Sequence, residues 1–113
     1  MLTPSQAADM RRLVIKFGDC VGADDPDQWF PPEPTKGGAE SQEAYEARRA
    51  EYERIAATLC ADCPVIDECL ALALHEESSL PRSWIHGVRG GLAPWRRYQM
   101  RRYRRRVASR EVA

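Results

Sequence analysis

Apolar residues recur at helical spacing near the start of the chain. The segment from Thr3 to Gln6 fits a capping box with Pro4 at the first helical position. Apolar side chains then follow every three or four residues up to Gly18, namely Met10, Leu13, Val14 and Phe17. This pattern predicts a first helix of about four turns.

Two further stretches keep the same period. Ser41 is a predicted N-cap for a second helix, whose apolar stripe consists of Tyr45, Tyr52, Ile55, Ala56 and Leu59. This helix leads directly to Cys60. Pro64 suits the first turn of a third helix that continues to Glu76 and Glu77, with an apolar face made of Ile66, Leu70, Ala73 and Leu74.

The remaining segments favour loops, turns and one last helix. Residues 20–40 are dense in Asp, Pro and Gly and are predicted to form a loop. The stretch GVRGG at 87–91 holds three glycines, which indicates a tight turn with positive φ. A final helix is predicted from Pro94. Because no strand pattern exceeds a few residues, we expect a small all-α domain of about four helices.

Length and charge add two constraints. In a chain of 113 residues with 8 Pro and 7 Gly, burial of apolar surface alone gives only marginal stability. We therefore expect an additional cross-link that stabilises the fold. Residues 1–80 carry 7 basic and 16 acidic groups, whereas residues 81–113 carry 10 basic and 1 acidic. This asymmetry indicates an acidic body with a basic tail that meets a polyanion.

The compartment is inferred from what the sequence does not contain. No secretory signal and no apolar stretch long enough to cross a membrane is recognisable, so we expect a cytoplasmic protein without a membrane partner. Thiols stay reduced in that compartment unless a metal or a redox task engages them.

The four cysteines are spaced as Cys20-x39-Cys60-x2-Cys63-x5-Cys69. A C-x2-C pair supplies two sulfurs from one turn, as soft metals require, so the spacing predicts a metal site. Inert buried thiols and two disulfides are the alternatives. One remote ligand with a group of three favours an iron-sulfur cluster over zinc, whose modules usually present two close pairs. His75 and His86 are not expected to be ligands, because four cysteines already complete a site.

In its one distant cysteine, its C-x2-C-x5-C group, its glycine-rich turn and its basic C-terminal segment, the chain resembles the WhiB-like proteins of actinobacteria and their phages. The stretch DPDQWFPPE after the first cysteine is similar to the family's D-P-D-aromatic-F-P segment, and CADCPVIDECLALAL is similar to its cluster helix. GVRGGLAPWRR resembles the family's G-[VI]-W-G-G turn and the charged residues after it. The resemblance spans nearly the whole chain.

This resemblance implies a transcription regulator with a 4Fe-4S cluster bound by Cys20, Cys60, Cys63 and Cys69, responsive to oxygen or nitric oxide. Residues 1–92 would form the cluster-binding domain, and residues 93–113 a DNA-contacting tail. The partner it implies is the C-terminal domain of the primary sigma factor. We predict that the partner surface comprises aromatic side chains and the glycine turn, namely Trp29, Phe30, Trp84, Gly87, Val88, Arg89, Gly90, Gly91 and Trp95.

Two features depart from the family pattern. Arg89 stands where the family carries the sigma-facing Trp, which makes Trp84 and Trp95 candidates to supply the missing aromatic group. The segment between Cys20 and Cys60 is also longer than usual in the family, which indicates an extended second helix.

The C-terminal segment is rich in arginine. Guanidinium groups suit phosphate oxygens, and we predict DNA contacts from Arg96, Arg97, Arg101, Arg102, Arg104, Arg105, Arg106 and Arg110. On a helix, a stripe of Met100, Tyr103 and Val107 would rest on the body while Arg101, Arg104 and Arg105 project outward. The alternative is a tail that only solubilises the protein or neutralises its acidic body.

Two other functional classes stay open at this point. Cys60 and Cys63 could serve a thiol-disulfide oxidoreductase, although that motif normally lies in a βαβ unit. A structural zinc adaptor is the second alternative. No Ser/His/Asp set, phosphate-binding loop or defined carboxylate pair is present, so no catalysis is predicted.

Overall fold

The fold is helical, as predicted. A computed structural model describes residues 2–35 and 37–112, and within these ranges it contains four α-helices, two short 3-10 helices and no strand. The α-helices are α1 (Pro4–Phe17), α2 (Gln42–Cys60), α3 (Ile66–Glu76) and α4 (Pro94–Val112). The 3-10 helices cover Pro26–Trp29 and Arg82–Trp84.

The first two helices begin where their capping residues predict. Thr3 accepts a hydrogen bond from the backbone N–H of Gln6, and the Gln6 side chain accepts one from the Thr3 N–H, which completes the capping box. The Ser41 hydroxyl accepts from the Ala44 N–H at the start of α2. Local polar chemistry therefore determines both helix starts.

The third helix starts later than predicted. Pro64 precedes α3, which begins at Ile66, because residues 60–63 first form a separate turn in which the Cys63 N–H donates to the Cys60 carbonyl. Val65 is buried just before the helix, and Leu72 joins Ala73 and Leu74 in the buried set. α1 packs against this helix.

The core lies where α2 meets the start of α4. Tyr52, Ala56 and Cys60 on successive turns of α2 pack with Ala93 and Trp95. The rings of Tyr52 and Trp95 have centroids 4.9 Å apart and are tilted by 56°, a favourable arrangement for aromatic pairs. The first turn of the basic segment is therefore part of the body of the domain.

The glycine turn connects this core to α3. Gly87, Gly90 and Gly91 all have positive φ, as the sequence predicts. Gly90 lies directly on the α3 backbone, since a Cβ placed on it would lie 2.5 Å from Leu70 Cβ and 2.7 Å from Leu70 Cα. Only glycine permits both this conformation and this approach.

We therefore expect Gly90→Ala to lower the free energy of unfolding by about 2–5 kcal/mol, the sum of about 1–2 for a left-handed residue and about 1–3 for overpacking. Gly22→Ala is the matched control, because Gly22 has φ +73° but nothing within 4 Å of the added Cβ. Chemical denaturation of both variants measures the difference. Equal losses would show that the contact with Leu70 contributes nothing.

Candidate functional site

All four cysteines line one cavity. Cys20 follows α1, Cys60 is the last residue of α2, Cys63 lies in the turn after it, and Cys69 lies in the first turn of α3. The Cys69 N–H donates to the Val65 carbonyl at 2.8 Å, so its position is fixed by the helix start. None of the four forms a disulfide. The fold thus brings the remote cysteine to the group of three.

The thiols differ in exposure and in surroundings. Cys20 is exposed and Cys60 is buried. Burial raises the pKa of Cys60, whereas partial desolvation of the thiol, followed by the neighbouring Cys69, raises the pKa of Cys20. Hydrogen bonds from the Gly91 backbone and the Trp29 side chain act in the opposite direction on the pKa of Cys60. A redox-motif nucleophile needs a lowered pKa, so the surroundings of Cys60 do not favour an oxidoreductase.

The donor set is one that both an iron-sulfur cluster and a single zinc ion accept, since each can be held by four thiolates. Within the described ranges, no group of three or more His, Cys, Asp or Glu side chains is arranged to hold a metal ion. A single tetrahedral zinc needs four ligands at about 2.3 Å from sulfur. Four free cysteines around a shared cavity match the all-thiolate ligand set of a cluster.

The residues predicted to bind a protein partner separate into exposed and buried groups. Phe30 and Trp84 are 64% and 68% exposed. Trp95 and Val88 are buried in the core, so their assignment to a partner surface is wrong for the side chains. Trp29 is half-buried against that core, and its carbonyl accepts from the Val88 N–H at 2.7 Å.

The glycine turn is also mostly enclosed. Gly87 and Gly90 are buried, and Gly91 is half-buried. The Phe30 ring covers Gly87, since a Cβ there would lie 2.6 Å from Phe30 Cε1. The surface that the turn offers to a partner is therefore formed by the aromatic residues beside it.

Arg89 is tied to α3 by ion pairs. Its guanidinium lies 2.5 Å from Glu76 and 3.8 Å from the carboxylate of Glu77. Although burial opposes the shift, the hydrogen bond from Arg89 and then the contact with Arg11 lower the pKa of Glu76. The residue that replaces the family Trp thus holds the turn against the body.

Arg97 was predicted to contact DNA, and the structure contradicts this. It is 1% exposed and forms a two-point ion pair with Glu77 at 2.9 and 3.0 Å. Its other N–H groups donate to the carbonyls of His86, Gly87 and Leu92 at 2.8–3.0 Å. All five guanidinium donors are used, so none is available for a phosphate.

Three more arginines bind groups of the body, although Arg96 and Arg105 remain exposed. Arg101 donates to the carbonyls of Glu77 and Leu80. Arg105, predicted to project outward, donates to the Ser78 carbonyl. Arg96 forms a two-point ion pair with Glu53 that lowers the pKa of Glu53, chiefly by hydrogen bonding.

The predicted apolar stripe on α4 is only partly correct. Met100 and Val107 are half-buried, but Tyr103 is 62% exposed. Residues 97, 101 and 105, spaced by four, form the inner face instead. Glu77, which pairs with Arg97, was not singled out from the sequence as a partner, and neither were Glu53 and Glu76, which pair with Arg96 and Arg89, although the charge asymmetry pointed to an acidic body.

The outer face of α4 carries the other arginines. Arg102, Arg106 and Arg110 recur every four residues, are exposed, and form no ion pair among the described side chains. Arg104 is exposed as well, but it lies at the edge of a second cavity. These residues provide a continuous row of charge on one side of the helix.

Comparison with known proteins gives one match. The sequence model of the family described as "Transcription factor WhiB" matches residues 16–102, which include all four cysteines and the glycine turn. Neither the curated proteins nor the solved structures give a significant match. In the described part of the chain, no helix is long and apolar enough to cross a membrane.

Proposed function

This chain belongs to the WhiB family of transcription factors, and we propose that it is a cytoplasmic regulator that combines a 4Fe-4S cluster, a sigma-factor surface and a DNA-contacting helix. The observation that carries the proposal is the convergence of four free cysteines on one cavity. The ligands would be Cys20, Cys60, Cys63 and Cys69. When bound, the cluster would supply sensitivity to oxygen, nitric oxide or redox potential.

The chain's own groups would tune that cluster. The Gly91 backbone and the Trp29 side chain hydrogen-bond to the Cys60 sulfur, and such bonds shift cluster potential. Cys20 is the exposed ligand, so the side of the site that it covers is the most accessible to small oxidants. In the glycine turn, Gly91 lies next to Cys60 and Gly87 lies under the Phe30 ring. The turn therefore connects the cysteine cavity with the exposed aromatic residues beside it.

The proposed partner surface consists of Phe30 and Trp84, named here the aromatic surface. Both are large, apolar and exposed, and aromatic residues dominate the binding energy of protein interfaces. Phe30 packs on Gly87 in the glycine turn, and Trp84 is the last residue of the 3-10 helix that precedes this turn. We propose that the C-terminal domain of the primary sigma factor binds here, as the family resemblance implies.

We expect Trp84→Ser to weaken binding to that sigma domain by about 2 kcal/mol, roughly thirtyfold in Kd. Tyr103→Ser is the matched control, because Tyr103 is similarly exposed but lies on α4. Co-expression and pull-down of the wild-type pair should yield a brown complex, and titration of the purified variants gives the two affinities. If both variants bind the sigma domain with equal affinity, the sigma domain binds elsewhere on the protein.

The proposed DNA surface is the outer face of α4, with Arg102, Arg106 and Arg110. Phosphate contacts need accessible guanidinium groups, and these three are exposed without carboxylate partners in the described structure. Arg97 is excluded by burial. Truncation after Tyr98 would test this poorly, because it would also remove Arg101, which binds the Glu77 and Leu80 carbonyls.

Replacing Arg102 and Arg106 by Gln should weaken DNA binding at all sequences. The slope of log K against log salt should fall by about 0.9 for each lost phosphate contact. Arg12→Gln with Arg54→Gln is the control, because it changes the net charge equally on α1 and α2. Filter binding or fluorescence anisotropy at several salt concentrations measures both pairs. A matching loss in the control pair would indicate that only net charge matters.

A further inference from the structure

A second cavity lies between α1, α3 and α4, on residues that the metal site does not use. Its volume is about 500 Å³, within the range of about 300–1,000 Å³ typical of small-molecule sites. None of its lining residues also lines the cavity of the four cysteines. The space therefore forms a separate candidate site.

The lining of this cavity combines apolar and cationic groups. Leu74 and Ala71 of α3 and Ala108 of α4 contribute apolar surface, and Arg101, Arg104 and Arg105 supply positive charge. No Asp or Glu lines the cavity. Within the described ranges, none of the three arginines forms an ion pair with a carboxylate.

Two of the three arginines are held in place without being neutralised. Arg101 and Arg105 donate to the backbone carbonyls of Glu77, Leu80 and Ser78. A carbonyl orients a guanidinium but carries no net charge, so the local potential stays positive. Arg104 and Arg105 are exposed, so an anion that enters the cavity could reach guanidinium groups that no carboxylate already pairs.

Two buried polar atoms at this site also have no partner. His75 Nδ1 and Arg101 Nε are enclosed and make no hydrogen bond to the described residues. Both side chains belong to the cavity lining. Because both atoms have almost no accessible surface, they lie behind the cavity wall and are not among the groups that would contact a ligand.

We propose that this cavity binds a small amphipathic anion, a carboxylate or phosphate attached to an apolar body. The acid group would meet Arg101, Arg104 and Arg105, and the apolar body would lie on Ala71, Leu74 and Ala108. The proposal is independent of the sigma and DNA assignments, because the aromatic surface and the outer arginines lie outside the cavity. The ligand would bridge α3 and α4, and so would connect the helix that carries Cys69 to the arginine-rich helix.

Decanoate is the probe for this site, titrated calorimetrically into the full-length protein purified anaerobically. We expect saturable binding of one decanoate per chain. Decanol, with the same chain but no charge, should bind at least tenfold more weakly, and so should inorganic phosphate, which lacks the apolar body. If decanol binds as tightly as decanoate, the proposed role of the arginines is wrong. If phosphate binds as tightly as decanoate, the proposed role of the apolar residues Ala71, Leu74 and Ala108 is wrong.

Variants then locate the bound probe. Arg104→Gln should weaken decanoate binding about tenfold, the loss of one charge-assisted hydrogen bond, and Ala108→Phe should block the cavity and abolish binding. Arg102→Gln, on the outer face of the same helix, is the control and should leave decanoate affinity unchanged. If Arg102→Gln lowers the affinity as much as Arg104→Gln, or if Ala108→Phe has no effect, decanoate binds elsewhere and the proposal fails.

Discussion

Cys69→Ser is expected to leave a chain that holds little iron, loses helicity and is cut rapidly by protease. In a small metallo-domain the free energy of metal binding is also free energy of folding. Cys60, Cys63 and Cys69 end α2, form the turn and start α3, so loss of the cluster would release all three elements. The decrease in the free energy of unfolding should exceed the ~2–5 kcal/mol of a typical large-to-small core substitution. Circular dichroism and limited proteolysis measure it.

Asp67→Ser is the control for this experiment. It introduces the same side chain two positions earlier on α3, at an exposed site. We expect normal iron content and a change of at most about 1 kcal/mol, from the lost helix-dipole interaction. A Cys69→Ser protein with wild-type circular dichroism and protease resistance would contradict the view that the metal site stabilises the fold.

Arg97→Met is expected to destabilise the domain by about 3–5 kcal/mol, the usual cost of leaving one partner of a buried ion pair alone. The Glu77 carboxylate would stay buried without its two-point partner. Three backbone carbonyls of the glycine turn and its surroundings would also lose their donor. Urea denaturation of the metal-loaded protein measures the loss.

Two comparisons identify the cause of that loss. Arg102→Met removes the same charge from the exposed face of α4 and should change stability by no more than about 0.5 kcal/mol. The double variant Arg97→Met with Glu77→Leu removes both buried charges and should recover part of the loss. If the double variant is as unstable as Arg97→Met, the carbonyl contacts rather than the ion pair make the main contribution.

The sequence predicted the helices because their signals are local. Thr3, Ser41 and Pro94 mark helix starts through hydrogen bonds and dihedral preferences within a few residues. The positive φ of the glycine turn follows equally from Gly87 and Gly90. The start of α3 at Ile66 was missed, because Cys63 closes the turn of the cysteine pair and Pro64 lies in a second turn, in which the Ile66 N–H donates to the Cys63 carbonyl.

The roles of individual arginines were not predictable in the same way. Arg97 and Arg102 have the same chemistry and similar neighbours in sequence, yet one is buried and the other exposed. The difference depends on Glu77, twenty positions earlier, which α3 places opposite the first turns of α4. Likewise, Trp95 is buried because Tyr52 of α2 lies opposite it. Such pairings come from tertiary packing and have no local signal.

For the metal site, the spacing predicted which cysteines belong together but not how they are arranged. Cys20 reaches the others only because α1 packs on α3, a contact that the sequence pattern does not specify. The hydrogen bonds from Gly91 and Trp29 to Cys60 depend on the same packing. The grouping of the four cysteines was therefore accessible from sequence, and its surroundings were not.

Iron and acid-labile sulfide analysis of the anaerobically purified protein, with its ultraviolet-visible spectrum, tests the central claim most directly. A 4Fe-4S cluster predicts a brown protein with about four irons and four sulfides per chain. Exposure to air should bleach the colour, because oxygen sensitivity is part of the proposed function. A colourless protein that contains one zinc and no sulfide per chain would contradict the claim.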